Sequence, residues 1–272
     1  MKRAFYVIVG LCLAVCLVQV CVAQFGRNGF SRGRGGEMRI GDRNGVPDWE
    51  TEPGFKKDVF TFVRVRYRSA GWREKWRIDY PDSDLNFSYR LQQLTSLKTD
   101  PNGLILELTD PALMDYPFLY MIEPGDLYFS EDEVTALRQY CMNGGFLMVD
   151  DFWGDSEYQN FYEQIKRVFP EREPSELPLE HNVFHCVYDM KEKPQVPSIM
   201  WSRTGRISES GDPAYYKGIF DDNNRMMVII CHNTDLGDGW EQEGESREYF
   251  ETFSEKLAYP MGINIVFYAM TH

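Results

Sequence analysis

The chain has 272 residues, with 29 Lys and Arg against 42 Asp and Glu and a formal charge of -13. That balance disfavours non-specific nucleic-acid binding, which needs a basic footprint, and it suits a cation ligand or a basic partner. The composition is globular, with 43% hydrophobic and 15% aromatic residues, and its six cysteines form no CxxC pair, so neither a zinc knuckle nor a thioredoxin-like redox site is supported.

Residues 1–23 have the layout of a signal peptide. Lys2 and Arg3 form a basic end, Phe5 to Val18 an apolar run, and Ala23 closes a plausible cleavage site. The run is shorter than the roughly 20 residues of a comfortable transmembrane helix, so the mature protein is expected to have no membrane span. An uncleaved N-terminal membrane anchor is the alternative. A lipoprotein reading would use Cys21, but the large Val20 directly before it fits poorly. The expected location is the periplasm or cell envelope. Residues 24–54 are rich in Gly and Arg and read as a flexible spacer. Residues 55–272 read as a single α/β domain, with an inserted lobe or long loops at 179–218.

The first strand is predicted over Val59–Arg66, followed by a long loop from Tyr67 to Asp84. Asp84 is placed to cap a helix reaching about Ser96, with Leu85, Tyr89, Leu91 and Leu94 on its apolar face. Leu104–Leu108 and Pro117–Ile122 read as further strands. Ser130 and Glu133 have the spacing of a capping box. They open a helix that Asn143-Gly144-Gly145 stops, since glycine enters the left-handed region cheaply. Phe146–Val149 is apolar without interruption, as expected of a central parallel strand covered on both faces. A helix follows over Ser156–Phe169. Short strands are predicted around Phe184–Tyr188, and a hairpin or core strand around Gly218–Phe220 and Arg225–Cys231. His232 to Trp240 reads as a polar exit loop. Ser246 to Ala269 reads as helical material interrupted at Pro260.

Two strand ends carry the candidate chemistry. One leads to Asp150 and Asp151, the other to His232, Asn233, Asp235 and Asp238. If the two strands are parallel neighbours, their carboxyl ends bring these groups to one crevice. Asp150, Asp151, His232 and Asp235 are the candidate ligands for a divalent metal, the one cofactor the sequence suggests. Asp151 and His232 are the candidates for proton transfer. The same acids could instead cap helices and solvate loops. Trp153 and Trp240 could wall a pocket or pack over the sheet end. Arg66, with Arg64, Arg68 and Asn86, could bind an anionic ligand or pair with the chain's many carboxylates. After the leader, Cys141, Cys186 and Cys231 remain, an odd number that leaves at least one thiol free unless it pairs between chains.

Several separated landmarks occur in order: FVRVRY, WRIDYPDSDLNFSYRL, YCMNGGFLMVDDFWG, HNTDLGDGWE and GINIVFYAMTH. Together they resemble the bacterial family called domain of unknown function 4159, over roughly Asp58 to His272. The resemblance implies a class I glutamine-amidotransferase-like fold, a flavodoxin-like three-layer sandwich with a mostly parallel central sheet, similar to that of the trehalose-utilisation-like family. True amidotransferases place a cysteine at a sharp elbow after a central strand. Asp150-Asp151-Phe152 stands in the matching place here, so glutamine hydrolysis does not follow from the fold. The functional expectation is an exported domain that binds a ligand or partner (an envelope protein, a peptide or a glycan) in the crevice at the carboxyl ends of its strands. The alternatives are a metal-assisted hydrolase or carbohydrate-active enzyme, and a structural scaffold.

Overall fold

The computed structural model describes residues 43–272 apart from 52–53, 55–57 and 72. The proposed signal peptide and most of the Gly/Arg-rich segment lie outside the described residues. A seven-stranded sheet forms the middle of residues 43–272. Its strands, in chain order, are β1 (Val63–Val65), β3 (Leu104–Leu106), β4 (Phe118–Ile122), β6 (Phe146–Asp150), β7 (Ser175–Glu176), β8 (Tyr215–Phe220) and β9 (Met226–His232). A separate two-stranded ribbon joins β2 (Arg68–Ser69) to β5 (Leu127–Tyr128). The spatial order of the large sheet is β3-β1-β4-β6-β9-β8-β7. The first five of these run parallel, while β8 and β7 add an antiparallel margin. This is a mixed α/β fold with a largely parallel central sheet flanked by helices.

The parallel strands are apolar because both faces are covered. Side chains alternate across the sheet. Phe62, Phe118, Tyr120, Phe146 and Met148 belong to one buried cluster with α1 (Asp82–Leu94), α5 (Leu236–Glu241) and α7 (Tyr259–Thr271). Val63, Leu119, Met121, Leu147 and Val149 are equally buried on the other side. Helix α2 (Glu131–Met142) packs there on β6 and β9, and α3 (Gly154–Val168) packs beside it; short α4 (Trp201–Thr204) follows in chain order. The start of α2 follows from local chemistry. Ser130 Oγ accepts from the Glu133 backbone N–H at 3.3 Å, and Glu133 returns the contact to the Ser130 N–H at 2.7 Å. Its stop is equally local, with Gly144 at φ +105°.

Five elements differ from the sequence expectation. The first strand shortens to Val63–Val65. Asp84 is the third residue of α1 rather than its cap, because its carboxylate is taken by the buried Arg64. Phe184–Tyr188 makes no strand; Asn182–Phe184 forms a 3-10 turn that His181 caps at 3.2 Å through the Val183 N–H. The polar stretch after β9 is a buried helix, α5, since its carboxylates cap and face inward. Pro260 does not interrupt the C-terminal helix. Short α6 (Arg247–Tyr249) runs on without a break through a π-helical stretch, Phe250–Ala258, into α7, and Pro260, which has no N–H to donate, falls just after that stretch.

The hairpin of β8 and β9 is formed, and β6 and β9 are parallel neighbours. Among the described residues no helix is long and apolar enough to cross a membrane. Cys141, Cys186 and Cys231 are all free thiols. Burial pushes the Cys141 thiol up to about 12, which leaves it unreactive as a nucleophile.

Candidate metal centre

Three neighbouring parallel strands each end on a non-glycine residue in the left-handed region. Glu123 follows β4 at φ +46°, Asp151 follows β6 at +55°, and Asn233 follows β9 at +59°. Asp and Asn enter this region more readily than Glu, and residues held there concentrate at functional sites. Here they turn the chain sharply at the strand ends. The backbone N–H of Asn233 donates to the Phe152 carbonyl at 3.0 Å, and its Oδ1 accepts from the Gly154 N–H at 2.8 Å and from Ser210 Oγ at 3.0 Å. Asn233 thus ties the exits of β6 and β9 together.

A fourth left-handed residue, Asp79 at φ +61°, approaches from the loop before α1. Buried Arg64 fixes that loop. Its guanidinium donates to the carbonyls of Trp76 at 3.1 Å and Ile78 at 2.9 Å, to Ser83 Oγ at 2.8 Å, and to both oxygens of Asp84. Gly237 lets Asp79 come close: a Cβ there would stand 2.6 Å from Asp79 Oδ2 and 2.8 Å from the Tyr120 hydroxyl.

These elements enclose a cavity of about 250 Å³ at the carboxyl end of the sheet. Its lining includes Asp79, Glu123, Asp151, Asp235 and Asp238, with Trp153, Ile199 and Met200 as apolar wall. The region 179–218 supplies the last two, and the Ile199 N–H donates to Asp238 Oδ2 at 2.6 Å. Among the described residues no Lys, Arg or His lines this space. Lys75 stands nearby, with Nζ 3.1 Å from Glu123 and 3.6 Å from Glu157.

Ligand oxygens of Asp79, Asp151 and Asp235 all lie within 4.8 Å of one another, as do those of Asp79, Asp238 and Glu241. Like charges this close cannot all ionise without compensation. Burial, and then the Asp238 and Asp151 charges, push the Asp79 carboxyl well above the ordinary range. Burial followed by Glu123 and Asp150 does the same to Asp151, and burial followed by Asp151 and Asp238 does so to Asp235. Burial and then Asp238 raise Glu241 to about 7. The arrangement therefore holds either protons or a cation. The donor set is all oxygen, which fits a hard divalent ion such as Mg²⁺, Ca²⁺ or Mn²⁺.

The residues singled out in the sequence fall into three groups. Asp151, Trp153, Asp235 and Asp238 line the cavity, and Trp153 Nε1 donates to Asp151 Oδ1 at 2.8 Å. Asp150, His232 and Asn233 lie behind it. Asp150 Oδ2 accepts from the Tyr120 hydroxyl at 3.1 Å and the Gly237 N–H at 2.9 Å, and burial raises its carboxyl to about 7. The His232 ring packs on Phe152 and Tyr158, both at 4.9 Å, and its Nε2 meets the Gly154 carbonyl at 3.1 Å. Burial holds it below its ordinary pKa. Arg66, Asn86 and Trp240 stand apart. Exposed Arg66 pairs with Glu107, Asn86 donates to the Trp240 carbonyl at 2.8 Å, and fully buried Trp240 packs on Phe87 at 4.4 Å. Asp79, Glu123 and Glu241 were not singled out. Asp79 lies within the landmark WRIDYPDSD, but nothing local says that this loop returns to the strand ends.

The sequence from 61 to 270 matches the family described as a domain of unknown function, DUF4159. The chain belongs to the DUF4159 family. The match covers β1 through α7, so every strand end that builds the carboxylate cluster lies inside this DUF4159 domain. No curated protein matches the chain.

Proposed function

We propose that this domain holds a hard divalent cation between Asp79, Asp151 and Asp235 and uses it to bind a small oxygen-rich ligand in the adjoining cavity. The carrying observation is that three carboxylates have oxygens within 4.8 Å of one another beside a cavity that, among the described residues, no basic side chain lines. A hard ion coordinated on one side by protein oxygens keeps positions open toward the cavity.

Asp151→Asn tests this reading. Asparagine tolerates the left-handed backbone and is nearly isosteric, so the fold is retained. The variant removes one of the crowded charges, and the cation-free protein is expected to become more stable by about 1 kcal/mol, while calorimetric binding of Mn²⁺ or Mg²⁺ weakens by roughly 100-fold or more. Unchanged binding in Asp151→Asn would refute the assignment.

Two further readings accompany the site. The five parallel strands run in the spatial order second-first-third-fourth-fifth, which supports a flavodoxin-like sheet with its crevice at the switch point. On a class I glutamine-amidotransferase-like comparison, Asp151 stands at the elbow where a catalytic cysteine would be. A carboxylate there provides a cation ligand but no thiolate, so the proposed role does not include glutamine hydrolysis. Residues 1–23, with their basic end and apolar run, support export to the periplasm or cell envelope. N-terminal sequencing of the mature protein checks this, with Gln24 expected first.

A further inference from the structure

We infer that the centre is dinuclear, with Asp79 as the carboxylate shared between two cations. This rests on the cation reading above and extends it to a second position. Two sets of carboxylates meet the distance requirement, and Asp79 belongs to both: Asp79, Asp151 and Asp235 form one, Asp79, Asp238 and Glu241 the other. A carboxylate has two oxygens and about four lone-pair sites, so one side chain can serve two ions standing about 3.5–4 Å apart.

A second observation comes from Asp79 itself. The residue as a whole is partly exposed, yet its Oδ2 atom is enclosed and has no hydrogen-bond partner. That oxygen faces the turn between Asp235 and Asp238, 2.6 Å from where a Gly237 Cβ would be. An enclosed carboxylate oxygen without a donor is costly unless a cation or proton occupies its lone pairs. One oxygen of Asp79 thus faces the turn that carries a member of each carboxylate set, Asp235 of the first and Asp238 of the second.

Charge counting points the same way. Asp79, Asp151, Asp235, Asp238 and Glu241 carry five negative charges when ionised, and none forms an ion pair with a Lys or Arg among the described residues. One divalent ion leaves three uncompensated charges in a low-dielectric pocket, whereas two leave one. Asp238 lines the cavity and Glu241 does not, so the second ion would sit toward α5, and the first would face the ligand space.

The test is Mn²⁺ titration of the chelator-stripped full-length protein by calorimetry, followed by electron paramagnetic resonance at saturation. Two equivalents of Mn²⁺ and a spin-coupled signal are expected. Glu241→Gln, which alters a partly exposed side chain, should reduce the stoichiometry to one and abolish the coupled signal while leaving the first equivalent bound. A wild-type stoichiometry of one overturns the dinuclear proposal and leaves the single-cation reading standing. Two equivalents without spin coupling overturn the bridging role of Asp79. No binding at all overturns both readings.

Discussion

Between pH 8 and 6.5 the cation-free protein is expected to gain stability as the pH falls, and a saturating divalent cation should weaken that dependence. Burial raises the Asp150 carboxyl to about 7 and holds Asp79, Asp151 and Asp235 well above the ordinary range. In the unfolded chain these groups titrate near 3.9. The folded state therefore binds more protons than the unfolded state throughout this window. The stability these groups supply is fully present only at low pH and is lost as the pH rises through their folded values. Each extra proton bound gives a slope of about 1.4 kcal/mol per pH unit. His232 and His181, which burial holds below their ordinary value, act in the opposite sense once the pH drops below about 6.5, and so set the lower limit of the window. A cation favours the ionised carboxylates. At a hundred times its dissociation constant it adds about 2.7 kcal/mol, which for a domain of this size is roughly 5–10 °C in Tm. Urea or thermal denaturation from pH 6.5 to 8, with chelator and with MnCl₂, measures both effects. Cation-free protein that loses stability from pH 8 to 6.5 would contradict the electrostatic reading of the site.

Arg64→Met should be the most damaging single substitution near the centre. Arg64 is fully buried, and its guanidinium lies against the Asp84 carboxylate, with Nη2–Oδ1 at 2.5 Å. Burial works against its charge, and Asp84 more than compensates. Removing one partner of a buried ion pair leaves the other unpaired, at a cost of about 3–5 kcal/mol. The loss reaches the site as well, because the same side chain holds the carbonyls of Trp76 and Ile78, immediately before Asp79. Arg64→Lys should not rescue it, since a point charge cannot span five acceptors arranged for a planar fork. Pairing Arg64→Met with Asp84→Leu should recover much of the stability but not cation affinity, because the Asp79 loop stays unanchored. Denaturation midpoints and Mn²⁺ affinity on the same samples separate the two effects. A loss below about 1 kcal/mol in Arg64→Met would mean the pair is not buried in solution.

These two predictions involve residues of very different legibility. Ser130 and Glu133 could be read because a capping box is a contract between residues three apart. Phe146–Val149 could be read because a strand covered on both faces leaves no polar alternation. Asp151 and Asp235 could be placed together once β6 and β9 were taken as parallel neighbours. Asp79 could not, since its approach depends on Arg64 pulling a distant loop over the strand ends. Arg64, Arg66 and Arg68 illustrate the same limit. Their spacing suggests one face of a strand, but β1 stops at Val65. Arg64 turns inward to Asp84, Arg66 pairs with exposed Glu107, and exposed Arg68 reaches the buried Glu133. Which of three similar arginines is buried is decided by what packs above the strand, and that information is not local.

The antiparallel margin of the sheet has a consequence for how copies of the protein meet at high concentration. Strand β7 contributes only Ser175 and Glu176, both exposed, and Glu176 is engaged by Lys193. So short and charged a border offers an incoming chain almost no ladder to extend. On that side the long, apolar strands β6 and β9 are screened by β8 and β7, which protects the protein against edge-to-edge aggregation.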